Sequence, residues 1–321
     1  MDSLTHVVVA GTLSMALSGR GSAIRRTALL AGAALLPDAA EQVFRLLGTA
    51  TYLRFYHAPL HSLLGMALMV ILLTLATRRW EEPSRFLVQL MPAAVGMGSH
   101  LLLDLAHGWG VELFWPLSER RFGVPLIANY DLPTLGLLGI ALLAPALLNS
   151  VNREIGAPRV NGRRSAWIAL SLLVLLVPAR WVFRARASNL VHGAPLTEDA
   201  DSISVYPSAL LPWYWTAVED TSLAYLIGEV DGLTGERRAY LVRLRKAQPN
   251  SLFLAVRDSD AGQNFLRMAT YPYYSFEEGK EAILVRLRDM AFYAPAGSDR
   301  PFSLETEITS TLKVVSEKAV F

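Results

Sequence analysis

The chain contains no cysteine in its 321 residues. This absence excludes disulfide bonds, thiolate metal sites and a cysteine nucleophile, so a metal ion would need histidine, carboxylate, backbone or water ligands. Lysine is missing before Lys246, and the formal net charge is only +2. Such a small charge gives no reason to expect nucleic-acid binding. The sequence also lacks a phosphate-binding loop, a Gly-x-Ser-x-Gly elbow and a glycine-rich dinucleotide fingerprint.

Apolar residues are abundant and unevenly distributed. They make up 52% of the chain, and the mean hydropathy of +0.32 is high for a soluble protein. Leucine- and alanine-rich runs give way near residue 187 to alternating polar and apolar residues. We therefore predict an α+β protein, in which a multi-helix integral membrane bundle (residues 1–187) precedes a β-rich soluble domain (residues 196–321).

About six helices are predicted in the bundle, and the first two are short for a membrane span, which needs about 20 residues. We expect the second to end at Pro37, because proline removes a helical hydrogen bond. We expect Pro59 to lie in the first turn of the third helix, with His57 at its mouth. The six runs are Val7–Leu17, Thr27–Leu36, the run from Pro59 to Ala76, Phe86–His107, Leu132–Leu148 and Ala166–Phe183.

The arginines predict how the bundle is oriented. The loops after the first, third and fifth helices hold Arg20, Arg25, Arg26, Arg78, Arg79, Arg85, Arg153, Arg159, Arg163 and Arg164. The loops after the second and fourth helices hold only Arg45, Arg54, Arg120 and Arg121. The positive-inside rule then puts the poorer loops and the C-terminal domain on the non-cytoplasmic side of an inner or plasma membrane. Arg184 and Arg186 argue mildly against this orientation.

A histidine and an aspartate four residues apart form the strongest candidate for a metal site. His100 and Asp104 lie in the stretch Gly98–His107, and helical spacing predicts that they share one face with His107. A carboxylate and two imidazoles on an apolar helix are unfavourable unless something pairs them, and zinc accepts both kinds of ligand. The simpler alternative is a hydrogen-bonded aspartate beside two helix-end histidines.

Other residues of the ligand type fall at the same predicted end of the bundle, although the orientation follows from arginines alone. We expect Asp38 or Asp131 to act as the catalytic base and His107 to support a ligand or the substrate. Each also has a structural alternative as a helix cap or a helix-end hydrogen bond. The predicted metal ligands are His6, Asp38, His57, His61, His100 and Asp104.

The C-terminal part alternates as strands do. A short helix is predicted at Gln263–Met268. The predicted strands are Ile203–Tyr206, Tyr214–Val218, Leu223–Val230, Ala239–Leu244, Leu252–Val256, Ala282–Arg288 and Phe302–Ile308.

With these residues in place, the first half resembles the YdjM-like family of membrane-bound metal-dependent hydrolases. The matching stretches are Met1–His6, Leu35–Asp38, His57–Leu63 and Ser99–Asp104. Tyr206–Trp213 also resembles the Pro-x-x-x-x-Pro-x-Trp segment that opens a β-rich domain in longer members. The resemblance implies a hydrolase of unassigned substrate, and it suggests a distant similarity to zinc-dependent phospholipase C and single-strand nucleases.

The chain departs from that family at one point. Members often carry arginines just before the second histidine of the His57–His61 segment, where this sequence has Ala58, Pro59 and Leu60. A role for such arginines in binding phosphate therefore does not carry over to this chain.

The sequence thus predicts a zinc-dependent hydrolase at the membrane surface that cleaves a phosphoester or a lipid-linked substrate. Membrane lipids are the expected partners, and no partner of the β-domain is indicated. One alternative is a transporter or proton-coupled membrane protein, since proton relays also use intramembrane histidine and aspartate. Another is an assembly factor in which the metal is only structural.

Overall fold

The computed structural model describes residues 2–17, 23–77, 86–246, 250–279, 282–293 and 302–320. Arg20, Arg78, Arg79 and Arg85, on which the predicted orientation partly depends, lie outside these residues. The chain divides into two compact units. The first comprises Met1–Ala40, His57–Val182 and Ser208–Pro212, and the second comprises Glu41–Tyr56, Phe183–Pro207 and Trp213–Phe321.

The N-terminal half is helical, as the apolar runs predict. Among the described residues, only α6 and α7 are long and apolar enough to cross a membrane, so the six-helix membrane bundle is not confirmed. The helices are α1 (Ser3–Leu17), α2 (Ala23–Leu46), α3 (Thr49–Phe55), α4 (Leu63–Thr77), α5 (Phe86–Leu105), α6 (Leu132–Glu154) and α7 (Arg163–Gly193).

The prediction that the second helix ends at Pro37 is wrong, because α2 continues through this proline to Leu46. The proline removes one backbone hydrogen bond. However, the apolar face of α2 is buried: Leu29 and Ala33 pack in a core cluster with residues of α4 and α5, including Met97. Beyond the proline, the Phe44 ring packs on that of Phe55 with centroids 5.1 Å apart. Packing therefore holds the helix on both sides of Pro37, which places Asp38 inside a helix rather than at a cap.

The expected start of the third predicted helix is also wrong. Helix α4 begins only at Leu63, because Ser62 caps it: the Ser62 hydroxyl accepts a hydrogen bond from the backbone N–H of Gly65 at 3.0 Å. His57 and His61 therefore lie in the turns that precede the helix.

Helices α2 and α5 approach each other closely at Gly96. A Cβ atom at this position would lie 2.4 Å from the Leu30 carbonyl oxygen and 2.9 Å from the Ala33 Cβ. Only glycine allows the two backbones to come so near. One turn further along, the same approach brings His100 of α5 beside Ala34 of α2.

The segment between α5 and α6 is irregular but internally paired. Helix α5 ends at Leu105, so His107 does not continue its face as predicted. Instead, His107 forms a parallel bridge with Ile127, and Val111 pairs with Phe122. The next residue after Val111, Glu112, donates its N–H to the carbonyl oxygen of His57 at 3.0 Å.

The second unit contains two antiparallel four-stranded sheets, each a meander. Their strands are β1 (Ala200–Pro207), β2 (Tyr214–Thr221), β3 (Ala224–Asp231) and β4 (Arg237–Arg245), then β5 (Pro272–Glu278), β6 (Ile283–Asp289), β7 (Ser303–Ile308) and β8 (Val314–Val320). Helices α8 (Ser251–Arg257) and α9 (Asp260–Met268) lie between the sheets in sequence. The predicted strand Leu252–Val256 is wrong, since Asn250 caps a helix there by accepting from the Phe253 N–H.

Helix α3 belongs to this second unit although it lies between Asp38 and His57 in sequence. Thr49 donates its hydroxyl to the Glu317 carbonyl at 2.7 Å, and Asn264 donates its amide to the Ala50 carbonyl at 3.0 Å. The segment that joins two predicted ligands is thus fixed by the C-terminal sheet and α9.

Candidate metal centre

Five of the predicted ligands meet at one place in the first unit. Nε2 of His100 lies 3.1 Å from Oδ2 of Asp104, one turn along α5. The second carboxylate oxygen of Asp104 lies 3.4 Å from Nε2 of His6 on α1. Asp38 on α2 contributes Oδ1, which lies 3.3 Å from Nε2 of His61 and 3.5 Å from Nε2 of His100. Four elements that are distant in sequence therefore bring three imidazoles and two carboxylates together.

The orientation of the His100 ring is set by the backbone of α2. Nδ1 of His100 lies 2.7 Å from the carbonyl oxygen of Ala34, and a carbonyl can only accept, so Nδ1 carries the proton. The neutral ring then has its lone pair on Nε2, which points at the two carboxylates. A hydrogen bond of this kind is the usual support of a metal-binding histidine.

His6 completes the buried side of the centre. Its ring stacks on that of His100 with centroids 3.8 Å apart. Within the described parts of the chain, no hydrogen bond is found to either ring nitrogen of His6 or to Nε2 of His100. Both side chains are at most 1% exposed. Buried polar atoms are normally satisfied, and a metal ion would occupy the Nε2 lone pair of His100 and one ring nitrogen of His6.

Among residues of the first unit, two sets of potential ligands fulfil the spacing that a metal ion requires. They are His6, His100 and Asp104, and Asp38, His61 and His100, with the ligand atoms of each set within 4.8 Å of one another. Both sets use His100, whose Nε2 has one lone pair. The two sets therefore describe one ion position with alternative or additional ligands, and the residues fit such an ion.

Asp38 is the most accessible member of the cluster. Its side chain is 18% exposed, whereas those of His61, His100 and Asp104 are fully buried. The second oxygen of Asp38 accepts a hydrogen bond from the Ser3 hydroxyl at 3.2 Å. A small molecule approaching the centre would thus meet Asp38 before the other ligands.

His57 and His107 lie beside the cluster. The His57 ring stacks on His61 with centroids 4.4 Å apart, and its backbone has a φ of 51°, in the left-handed region that non-glycine residues seldom adopt. Nδ1 of His107 accepts a hydrogen bond from the Trp109 N–H at 3.4 Å. Burial lowers the pKa of both histidines well below the ordinary value, so both rings are neutral near pH 7.

Asp131 has a different set of partners. It caps α6 by accepting from the Thr134 N–H at 3.0 Å, and it forms a bidentate ion pair with Arg180 of α7 at 2.8 and 3.0 Å. Both side chains are buried, and Arg180 also donates to the Leu126 carbonyl. Asp131 belongs to neither ligand set.

Two contributors were missed by sequence reasoning. The sequence does not indicate the Ala34 carbonyl, because a backbone acceptor does not depend on residue type. It does indicate Arg180, which is a charged residue within a leucine-rich run and therefore needs a buried partner. That partner is Asp131.

The comparisons with known proteins give one match. A family model described as "YdjM inner membrane protein" matches residues 1–187, which is more than half of the chain and includes every residue of the centre. No curated protein and no solved structure matches the chain.

Proposed function

Because the chain belongs to the YdjM inner membrane protein family, we propose that it is a membrane-bound, metal-dependent hydrolase. The observation that carries this proposal is the fixed tautomer of His100, whose Nε2 lone pair faces two carboxylates beside the buried ring of His6. A neutral histidine with a purely structural role would have a protein donor against that lone pair, and none is found there among the described residues. The family description itself says nothing of hydrolysis.

We propose a divalent ion, with zinc as the first choice, held by His6, His100 and Asp104. Two imidazoles and one carboxylate are a ligand set that catalytic zinc accepts, and three protein ligands leave a position for water or substrate. When bound, such an ion lowers the pKa of a coordinated water to about 7 and polarises the scissile group. The absence of cysteine agrees with a site built from nitrogen and oxygen.

Asp38 is the proposed catalytic base. It is the accessible carboxylate of the cluster, and its Oδ1 lies 3.3 Å from Nε2 of His61, which can share a proton taken from water. Asp131, the other predicted base, is neutralised by Arg180 and occupied by the cap of α6. We therefore assign Asp131 a structural role and leave the proton transfer to Asp38.

For the substrate we propose a phosphoester or related bond in a lipid-linked molecule. The support is the chemistry of the ligand set together with the membrane localisation of the family. The proposed location of the site on the non-cytoplasmic side rests on the arginine distribution.

The test compares purified wild type with His100→Ala, Asp104→Asn and Asp38→Asn in detergent. We expect wild type to carry zinc and to cleave a phosphodiester or phosphomonoester, and the first two variants to lose both properties. Asp38→Asn should keep the metal and lose rate by ~10²–10⁴-fold, the usual effect of removing a general base. His192→Ala is the matched control, because His192 is exposed and, among the described residues, bonds only to Ser188 of its own helix.

Two results would contradict the proposal. Wild-type protein that binds no metal on titration would favour the proton-coupled transporter. Full metal and unchanged activity in the Asp104 and Asp38 variants would remove the site altogether. Loss of metal in Asp38→Asn would instead make Asp38 a ligand.

A further inference from the structure

The loop between β1 and β2, Ser208–Pro212, belongs to the first unit rather than to the unit of its own sheet. The carbonyl oxygen of Ala209 accepts a hydrogen bond from the backbone N–H of Leu132 at 3.0 Å. Leu132 is the first residue of α6, one of the two candidate membrane spans. The loop therefore lies at the N-terminal end of that helix.

This end of α6 exposes a group of apolar side chains. Leu210 is 61% exposed and Leu211 39%, and close to the same hydrogen bond Tyr130 is 58% and Leu132 50% exposed. Four exposed apolar side chains around one loop end are unfavourable in water, since each exposes area that would be stabilised by transfer to an apolar phase.

The position of this loop along the membrane normal follows from the helices. Helix α6 has 23 residues and is about 35 Å long, slightly more than the roughly 30 Å hydrocarbon core, so its ends lie near the two interfaces. The Asp131–Arg180 ion pair puts the start of α6 level with Arg180 of α7. The next residue, Trp181, is exposed, and exposed tryptophan is typical of the membrane interface.

We propose that Leu210 and Leu211 insert into the bilayer beside the first turn of α6, so that the β1–β2 loop is a lipid anchor of the β-rich part of the chain. The occupant of this surface is the lipid that surrounds α6, because α6 itself exposes large apolar side chains such as Ile140 and Leu143. This inference rests on α6 crossing the membrane and is independent of the proposed hydrolysis.

The absence of cysteine allows a direct test. Leu210→Cys in the full-length chain is labelled with the environment-sensitive fluorophore NBD and reconstituted in vesicles of phosphatidylethanolamine and phosphatidylglycerol. The matched control is Leu223→Cys, whose leucine is 60% exposed in the turn between β2 and β3. Lipids carrying a nitroxide near the carboxyl end of the acyl chain serve as one quencher and aqueous iodide as the other.

We expect the label at position 210 to show blue-shifted emission and to lose fluorescence with nitroxide lipid but not with iodide. The label at position 223 should respond in the opposite way. Quenching of both labels by iodide alone would overturn the proposal, and so would a label at position 210 that is shielded from both quenchers, since a protein contact would then cover the loop. Leu211→Cys provides a second probe if Leu210→Cys unfolds at a lower temperature than wild type.

Discussion

A single methyl group at Gly96 should weaken the metal centre without touching any ligand. In Gly96→Ala the new Cβ would lie 2.4 Å from the Leu30 carbonyl oxygen. Carbon contacts are favourable only near 3.5 Å, so α5 must move away from α2 by about 1 Å. One turn along, Nδ1 of His100 lies 2.7 Å from the Ala34 carbonyl. The same displacement stretches this distance beyond the range of a hydrogen bond.

The expected effect is a lower affinity for zinc. Without the Ala34 carbonyl, the His100 ring is no longer held in the tautomer that leaves Nε2 free to bind, and loss of such a supporting hydrogen bond typically weakens metal binding by about 10- to 100-fold. The affinity is measured in detergent by competition with a chromophoric chelator.

Gly98→Ala is the control, since a Cβ at Gly98 meets nothing within 4 Å. Alanine is the better helix former by about 1 kcal/mol, so this variant should keep wild-type affinity and unfold at the same or a higher temperature. If Gly96→Ala and Gly98→Ala bind zinc equally well, then the α2–α5 approach does not hold His100, and the argument from its tautomer fails.

Two further predictions follow from the described geometry and a third from the arginine distribution. Arg180→Met leaves the Asp131 carboxylate buried without its partner, which should destabilise the fold by about 3–5 kcal/mol and lower the unfolding temperature. Adding Asp131→Asn should restore part of the lost stability, because asparagine still caps α6. Burial lowers the pKa of His57, so below about pH 6.5 the unfolded chain binds a proton there and the folded chain does not. Metal-free protein should therefore lose stability as pH falls. His57→Gln should make the unfolding temperature depend less steeply on pH, and an unchanged dependence would count against the burial. A reporter fused after residue 321 should be active outside the cytoplasm and one inserted in residues 153–164 inside it; two cytoplasmic reporters would withdraw the assigned sidedness.

The sequence was most informative where periodicity and composition agree. The leucine-rich run after Phe86 predicted α5, and the four-residue spacing put His100 and Asp104 on one face of it. The same reasoning failed for His107, because α5 ends at Leu105. Helix ends depend on local capping and on backbone pairing, here the bridge between His107 and Ile127, and neither has a strong pattern.

Tertiary packing explains the larger error at Pro37. A proline preceded by an apolar run is normally read as a stop, yet the burial of Leu29 and Ala33 against neighbouring helices keeps α2 continuous. Propensity is a weak guide once a helix face is buried. The consequence for the site is large, because a continuous α2 carries Asp38 into the cluster.

The two strands that were missed, β5 and β8, are the edges of the second sheet. An edge strand pairs on one side only, so it tolerates a proline such as Pro272 and polar residues such as those of Val314–Val320. The central strands β6 and β7 are paired on both sides, and both were predicted.

The hydrogen bond between Thr49 and Glu317 joins residues that are 268 positions apart. Ribosomes add about 5–20 residues per second, so residue 49 must wait for roughly 15–50 seconds before its partner strand has been made. During that interval the stretch between Asp38 and His57 cannot take up its final packing against β8 and α9. A newly made chain therefore passes through a stage in which the linker between these two residues is still unanchored, and premature termination before α9 would leave it so permanently.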